Sequence, residues 1–583
     1  MPKTKIIVGA SHKLSVDAVW QVAFNGAAVR LDPKTRAMIQ ARRKQIVSYV
    51  NAQQEPAYGF NRGFGHNVDV AVPHEDLAEL QRNLIRSHSS GVGEPADKAL
   101  VRAAMLLRAH SLAQGFSAVR AEVIEQIISL LNAGITPNVP RYGSVGASGD
   151  LAPLSHCALT MMGEGLAYDG KSSRLEDASK ILKRHKLSPI KLEMKEGLAL
   201  NNGVQFSNAA GIIAVAQMRN LLKHAVVATA ISNQVLLGSD GAYDKRLLGL
   251  RPHRGAQVVG AWLRALIAGS PLREAHRPYA VDGEIQDPYN LRCAPQILGA
   301  CFDLVEEAAT TFEIEANSVT DNPLILESSD NSGSFTRIVS GGHFHGMPVA
   351  VKLYNLIQAM GIISRLSNMR SARYVDEARN KGLPSDLVWP GLSDVVRARS
   401  SGMMIPEYVS AALTNAIWGA AMPSHLFSLT TDAGQEDHVS MSATLAMRVL
   451  DTLPRLSEVL AIELAFASQA AAIRKILPTI PSKRKFQVKS RAASKLLKSL
   501  EATLQSEAGN LRFKPHVKIK FNFELSSKER NLSPVSERVI SRVKKIFPTV
   551  VEDRELSAEL KALANEVSSG SLLQDIPKKI WGV

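Results

Sequence analysis

Apolar positions recur at three- and four-residue spacing along most of the chain. "HEDLAELQRNLIRSH" from His74, "KALVRAAMLLRAHSLAQGFSAVRAEVIEQIISLLNAG" from Lys98 and "NAAGIIAVAQMRNLLKHAVVATAISNQVLL" from Asn208 all carry this period, which predicts long helices. Several are apolar nearly all round, a pattern that suits helices buried in a large bundle or between subunits. Asn132, Ala133 and Gly134, followed by Pro137, mark a helix end. "AVDGEIQDPYNLRCAPQ" from Ala280 and "FEIEANSVTDNPLI" from Phe312 are rich in polar and turn residues and are expected to be breaks between helices. A single stretch alternates: in "VKIKFNFEL", Val517, Ile519, Phe521, Phe523 and Leu525 are separated by polar residues, as in a half-buried strand. The expected fold is all-α, a large bundle of long helices, with a small α+β insertion near the C-terminus.

Composition narrows the class. The chain has 583 residues, 45% hydrophobic and 21% charged, ordinary values for a soluble globular protein and long enough for a large core. No run of 18 or more apolar residues stands out as a membrane span. The start, "MPKTKIIVGASHK", is too polar for a signal peptide. Cys157, Cys293 and Cys301 are scattered, which argues against a disulfide framework or zinc site and for a reducing, cytoplasmic setting.

The net charge of +15 is concentrated: between Arg474 and Arg530 there are 15 Lys and Arg against 4 Asp and Glu. One basic segment is a weaker nucleic-acid signal than a basic domain. "RAASKLLKSLEATLQSEAG" places Leu496, Leu497, Leu500 and Leu504 on one side of a helix, and with the strand that follows it reads as a small folded insert with its cations outward. Few aromatics are available for base stacking, so nucleic acid is not the expected partner.

The chemistry-bearing stretch is "GSVGASGDLAPLSH", from Gly143 to His156. It lacks the GK[ST] of a phosphate loop, the spacing of a dinucleotide fingerprint and the GxSxG of a nucleophile elbow. A plain helix-connecting turn remains open. A fourth chemistry also fits. In Ala147-Ser148-Gly149, an unobstructed glycine nitrogen can attack the alanine carbonyl in a tight turn. Loss of two waters, one taking the serine hydroxyl, leaves a ring with an electrophilic methylene.

This stretch resembles the signature of the aromatic amino-acid ammonia-lyase and aminomutase family, in which Ala-Ser-Gly forms 4-methylideneimidazole-5-one (MIO). The likeness runs from about Leu14 to Ala470, with a weaker echo in the tail. It implies that Ala147, Ser148 and Gly149 become the MIO, with no metal. It also implies a homotetramer whose active sites each collect residues from three subunits. Four domains are expected on this basis: an MIO domain (1–200), a central bundle (201–473), the basic insertion (474–530) and a helical tail (531–583).

The resemblance also assigns roles. Tyr58 in "AYGFNRGFG" is the base for the β-proton, a task for which a phenol must titrate below its usual value near 10; without the family it is a loop tyrosine. In "QDPYNLR", Arg292 holds the substrate carboxylate with its fork of N–H groups, Tyr289 sits beside the MIO and Gln286 orients the substrate. Asn202 contacts the MIO, although a helix cap is its plain alternative. Phe344 in "GGHFHGMP" lines the pocket. His343 stands where the family usually has Asn, and with His345 it makes too small a donor set for a metal.

Two positions bear on the substrate. His88 and Glu436, in "RSHSSG" and "GQEDHVSM", match the Ser-His and Gln-Glu of histidine-specific members. A carboxylate can pair with an imidazole N–H but would be left unsatisfied against a phenyl ring. Arg62 and Gly434 depart from the usual Thr and Asn. The expected reaction is non-oxidative deamination of an aromatic L-amino acid, foremost L-histidine to trans-urocanate and ammonia. A tyrosine or phenylalanine ammonia-lyase and a 2,3-aminomutase are the alternatives.

Overall fold

The computed structural model describes residues 5–53, 57–63, 68–170, 172–276, 286–327, 335–477, 479–482 and 521–582. Helix dominates, and every described sheet has only two or three short strands. The chain divides into two compact units. The first joins residues 1–220, 303–361 and 417–454; the second joins residues 221–302, 362–416 and 455–583.

In the first unit a parallel pair, Ile6–Val8 with Val29–Leu31, opens the chain. Ser15 then caps the helix Val16–Asn25 by accepting from the Ala18 N–H at 3.2 Å, and Gly26, left-handed at φ 64°, ends it. This helix packs on Lys98–Leu112, whose residues from Ala103 to Leu112 are all buried. The apolar stretch from Lys98 to Gly134 is two helices rather than one. The second is Ala121–Ala133. The break comes at Gly115 (φ 83°) and Ala118 (φ 58°), where Arg43 Nη1 donates to the Ala118 carbonyl at 2.5 Å. Gly134 closes the second helix in the left-handed conformation, as its NAG ending predicts.

The stretch beginning at Phe312 is only partly a break. The helix Ala294–Ala316 runs through its first five residues, and the turn starts at Asn317. The Asn317 amide donates to Glu313 O at 2.7 Å and its oxygen accepts from Leu14 N at 2.7 Å. The helix Gln205–Val235 is buried on all sides along most of its length, so packing within the chain accounts for its all-round apolarity. Ser442–Ile476 is long and apolar enough to cross a bilayer, but 94% of its most apolar window is buried inside the protein; Met347–Val375 passes the same test with 50% buried.

In the second unit, Thr479–Ser482 pairs antiparallel with Phe521–Glu524. The C-terminal end of the alternating stretch is therefore a strand, and its Leu525 is buried. Most of the basic insertion, including its amphipathic helix, lies outside the described residues. The flanking cations do structural work: Arg474, 2% exposed, donates to the carbonyls of Val235, Asn380 and Lys381, and Arg530 to those of Leu525 and Lys475.

Candidate functional site

The glycine-rich stretch lies where four helices begin. Leu151–Met161 starts directly after Asp150. The carbonyl of Gly146 accepts from Ser440 Oγ at 2.8 Å and from Gly346 N at 3.1 Å, just ahead of the helices Ser442–Ile476 and Met347–Val375. Asp150 N donates to Gly203 O at 2.7 Å, ahead of Gln205–Val235. Helix N-termini carry partial positive charge, so their combined field favours electron withdrawal at this loop.

The backbone here has the turn that the Ala-Ser-Gly chemistry needs. Ala147 and Gly149 are bridged to each other across Ser148, and Gly146 and Gly149 have φ 65° and 77°. A side chain at Gly149 would collide with the Gly203 backbone, and one at Gly146 with the hydroxyls of Ser440 and Ser442. The loop is thus pressed into place from both sides. Asp150 is fully buried and anchors it: its carboxylate accepts from Ser207 N at 2.8 Å, Ser207 Oγ at 2.7 Å and Ser144 Oγ at 3.1 Å. Burial raises the Asp150 pKa, and the bonds from Ser207 and Ser144 oppose that shift.

Ser148 is half-buried between two candidate residues. Asn202 donates from Nδ2 to Ser148 O at 2.9 Å, while Ser148 Oγ donates to Glu436 Oε1 at 2.7 Å. Asn202 also follows the helix Glu196–Asn201 as its C-cap residue, through its backbone N–H to Leu198 O, so its side chain is left to Ser148. Its Oδ1 is buried with no hydrogen-bond partner among the described residues, an acceptor left beside Ser148. The other Glu436 oxygen accepts from Thr431 Oγ1 at 2.6 Å. His88 ends the helix Leu77–His88 and bonds through Nδ1 to Ser87 Oγ at 3.1 Å. Burial lowers its pKa, and the Glu436 and Asp432 carboxylates partly offset this. Gly434, at φ 96°, lies in the tight turn just before Glu436.

Tyr58 is half-buried in a turn held at both ends. Ala57 N donates to Asn61 Oδ1 at 2.8 Å, and Gln81 Nε2 donates to Gly59 O at 3.2 Å. Gln81 Oε1 in turn accepts from Leu198 N at 3.1 Å, tying the turn to the helix that precedes Asn202. Arg62 bridges to Ala71 through its backbone and donates from Nη1 to Asp69 O at 2.9 Å. Phe344 is half-buried, two residues before Gly346. His343 is exposed, and His345 donates from Nε2 to the His438 carbonyl at 2.9 Å, its Nδ1 accepting from Met347 N at 3.3 Å. Among the described residues no group of three potential metal ligands occurs.

The remaining candidates belong to the second unit. Tyr289 opens the short helix Tyr289–Arg292 and is 66% exposed; Gln286 is exposed too. The Arg292 guanidinium lies 4.8 Å from the Tyr289 ring centroid, and its Nε donates to Asp287 O at 3.0 Å. That clamp aims a cation along the face of an exposed ring.

Ala147, Ser148, Gly149, Asn202 and Glu436 therefore form one cluster, His88 feels the Glu436 carboxylate without a hydrogen bond to it among the described residues, and the residues present fit a ring-forming tripeptide. Sequence reasoning left Asp150, Gly203 and Thr431 out of that cluster. Asp150 was detectable, as the residue directly after Ala-Ser-Gly. Thr431 carried no signal, since its role depends on a turn of the folded chain.

The sequence matches the model of the family described as "Aromatic amino acid lyase" over residues 14–501. Solved structures similar to this one include histidine ammonia-lyase from Trypanosoma cruzi, 29% identical with a TM-score of 0.79, covering 99% of this chain and 97% of that one. Tyrosine aminomutase from Streptomyces globisporus is 29% identical with a TM-score of 0.80, covering 98% of each chain. Phenylalanine aminomutase from Pantoea agglomerans is 26% identical with a TM-score of 0.80, covering 97% of this chain and 99% of that one.

Proposed function

The chain belongs to the aromatic amino acid lyase family, and from that premise we propose that it eliminates ammonia from L-histidine, giving trans-urocanate, at an electrophile made from its own Ala147, Ser148 and Gly149. The observation that carries this reading is Ser148 in a backbone bridge between Ala147 and Gly149, held by Asn202 on one side and Glu436 on the other. In the maturation, the Gly149 nitrogen bonds to the Ala147 carbonyl carbon, whose oxygen leaves as water. Ser148 then loses its hydroxyl and its α-hydrogen as a second water, so no oxidant is needed. Once formed, the MIO would supply an electrophilic methylene toward the substrate's amino nitrogen, making ammonia a competent leaving group.

The chain's other residues bind and move protons. Arg292 takes the substrate carboxylate through paired N–H donors, with Gln286 and Tyr289 beside it. Tyr58 removes the β-proton. Asn202 offers its open Oδ1 to the substrate amino group, and Phe344 covers the pocket. His88 and Glu436 meet the ring. The exposure of Tyr289 in the single chain suits a residue whose neighbours come from another subunit, and the exposed Leu426, Phe427 and Leu429 suit an assembly that covers them. Both support a homotetramer with shared sites. The free cysteines support a cytoplasmic setting, and a small-molecule substrate rather than nucleic acid is the partner.

Glu436 is the observation that favours histidine. Thr431 fixes one of its oxygens, and maturation removes the Ser148 hydroxyl from the other, leaving an acceptor suited to an imidazole N–H. Ultraviolet spectra of the products formed from L-histidine, L-tyrosine and L-phenylalanine test this, since urocanate, coumarate and cinnamate absorb differently. Glu436→Gln is expected to lower kcat/KM for L-histidine by about 1–3 kcal/mol in transition-state terms, the scale of a charged hydrogen bond. A wild-type preference for phenylalanine contradicts the assignment. The second reading, a tyrosine or phenylalanine ammonia-lyase or a 2,3-aminomutase, draws on the equal identity to tyrosine aminomutase; coumarate or cinnamate as the main product establishes the lyase and a β-amino acid the mutase.

A further inference from the structure

Arg108 is a buried cation outside the cluster just described. It lies on the helix Lys98–Leu112 and is 2% exposed. Its Nη1 donates to Gln205 Oε1 at 3.0 Å and to Thr320 O at 2.8 Å; its Nε donates to Ala199 O at 2.8 Å, and Nη2 reaches the same carbonyl. Gln205 Nε2 bonds in turn to Thr320 Oγ1. Ala199 and Gln205 bracket Asn202 and Gly203, so one planar fork grips both ends of the segment that faces the Ala-Ser-Gly loop. The fit leaves no slack. A side chain at Gly203 would collide with Arg108 Nη1, Gln205 Oε1 and Thr320 O, and one at Gly149 would collide with Gly203. Guanidinium, Gly203 and Gly149 are therefore stacked in contact, and Gly203 O also receives the Asp150 N–H.

Stability alone does not explain this cation. Burial draws its pKa down to about 10, opposed by Asp321, so it stays charged at neutral pH at a desolvation cost that a well-packed apolar side chain would avoid. What an apolar side chain cannot supply is three carbonyl contacts at fixed angles.

We infer that Arg108 is a positioning residue for maturation of the prosthetic group, setting Asn202 and Gly203 against Ala147–Gly149 so that the Gly149 nitrogen meets the Ala147 carbonyl. The inference rests on the reading of that tripeptide as an MIO precursor.

Intact-mass measurement of purified, folded protein tests it without recourse to activity. Wild type is expected to be about two waters below its encoded mass. Arg108→Met is expected to keep its helical content while more than half of its chains remain at the encoded mass. Arg219→Met, which removes a partly buried ion pair with Glu306 in the same unit, is the control for destabilisation and is expected to mature fully. Complete maturation of folded Arg108→Met at the wild-type rate overturns the inference and leaves the functional reading intact. Wild type at its encoded mass overturns both. If Arg108→Met does not accumulate as folded protein, Arg108→Lys decides, because it keeps the charge and loses the fork. Its mass loss after a pulse of synthesis is expected to slow several-fold, and a wild-type time course overturns the inference.

Discussion

Ser148→Ala is expected to yield folded protein that has lost the two-water mass deficit and nearly all ammonia release. Without Oγ there is no hydroxyl to eliminate, so no exocyclic methylene forms. Ring closure between Gly149 and Ala147 can release at most one water. The fold should tolerate the change. Ser148 is half-buried and its Oγ makes one bond, to Glu436 at 2.7 Å, a bond that maturation of the wild type removes as well. The catalytic loss is of another order. Enzymes of this kind supply at least about 10⁶-fold acceleration, and an elimination whose amino group has no electrophile should lose on the order of 10³-fold or more. Intact mass, circular dichroism and initial rates on one preparation separate the outcomes. Wild type at its encoded mass ends the MIO proposal. Wild-type turnover by Ser148→Ala shows that the chemistry resides elsewhere.

The family signature was the legible part of this protein. Ala147, Ser148, Gly149 and Asp150 are adjacent in sequence, so their reactivity could be argued from four letters and the glycines around them. The long helices were legible too, because burial imposes a period that survives in the sequence. The breaks were less so. The turn after Leu112 places Ala118 at φ 58°, which no propensity favours; Arg43 on its carbonyl and the bond from Ile325 N to Phe116 O fix it from distant parts of the chain. The stretch from Phe312 misled in the other direction, since its polar and turn residues suggested a break throughout, whereas Phe312 and Ala316 are buried helix positions.

Residues that act through partners far along the chain left no trace. Glu436 was found by its motif, but Thr431 and Ser148, which hold its two oxygens, lie 5 and 288 residues away. Arg108 carries no signal of its role, because the pattern cannot reveal that the facing surface is made of carbonyls.

The largest expected loss of stability follows from a second buried cation, in the second unit. Arg370 and Glu463 have fully buried side chains; Nε meets Oε1 at 2.5 Å and Nη2 meets Oε2 at 2.9 Å. Ser232 Oγ also donates to Glu463 at 3.0 Å, and Tyr374 OH donates to Ser232 at 3.0 Å. The remaining arm of Arg370, Nη1, donates to Asn290 O at 3.1 Å, the carbonyl of the residue next to Tyr289. Removing one partner leaves the other charge buried and unpaired, so Glu463→Ala is expected to destabilise that unit by about 3–5 kcal/mol, whereas replacing both charges by apolar side chains often costs little. The paired variant Arg370→Met, Glu463→Leu should therefore recover most of the lost midpoint in urea. It should not recover substrate binding to the same degree, because Asn290 has lost its anchor and the helix carrying Tyr289 and Arg292 is held less firmly. A raised KM for the amino acid in a variant of near-normal stability is the expected signature. Equal destabilisation of the single and paired variants would show that packing, not the stranded charge, sets the loss. An unchanged KM in the paired variant would show that Tyr289 and Arg292 keep their geometry without Arg370.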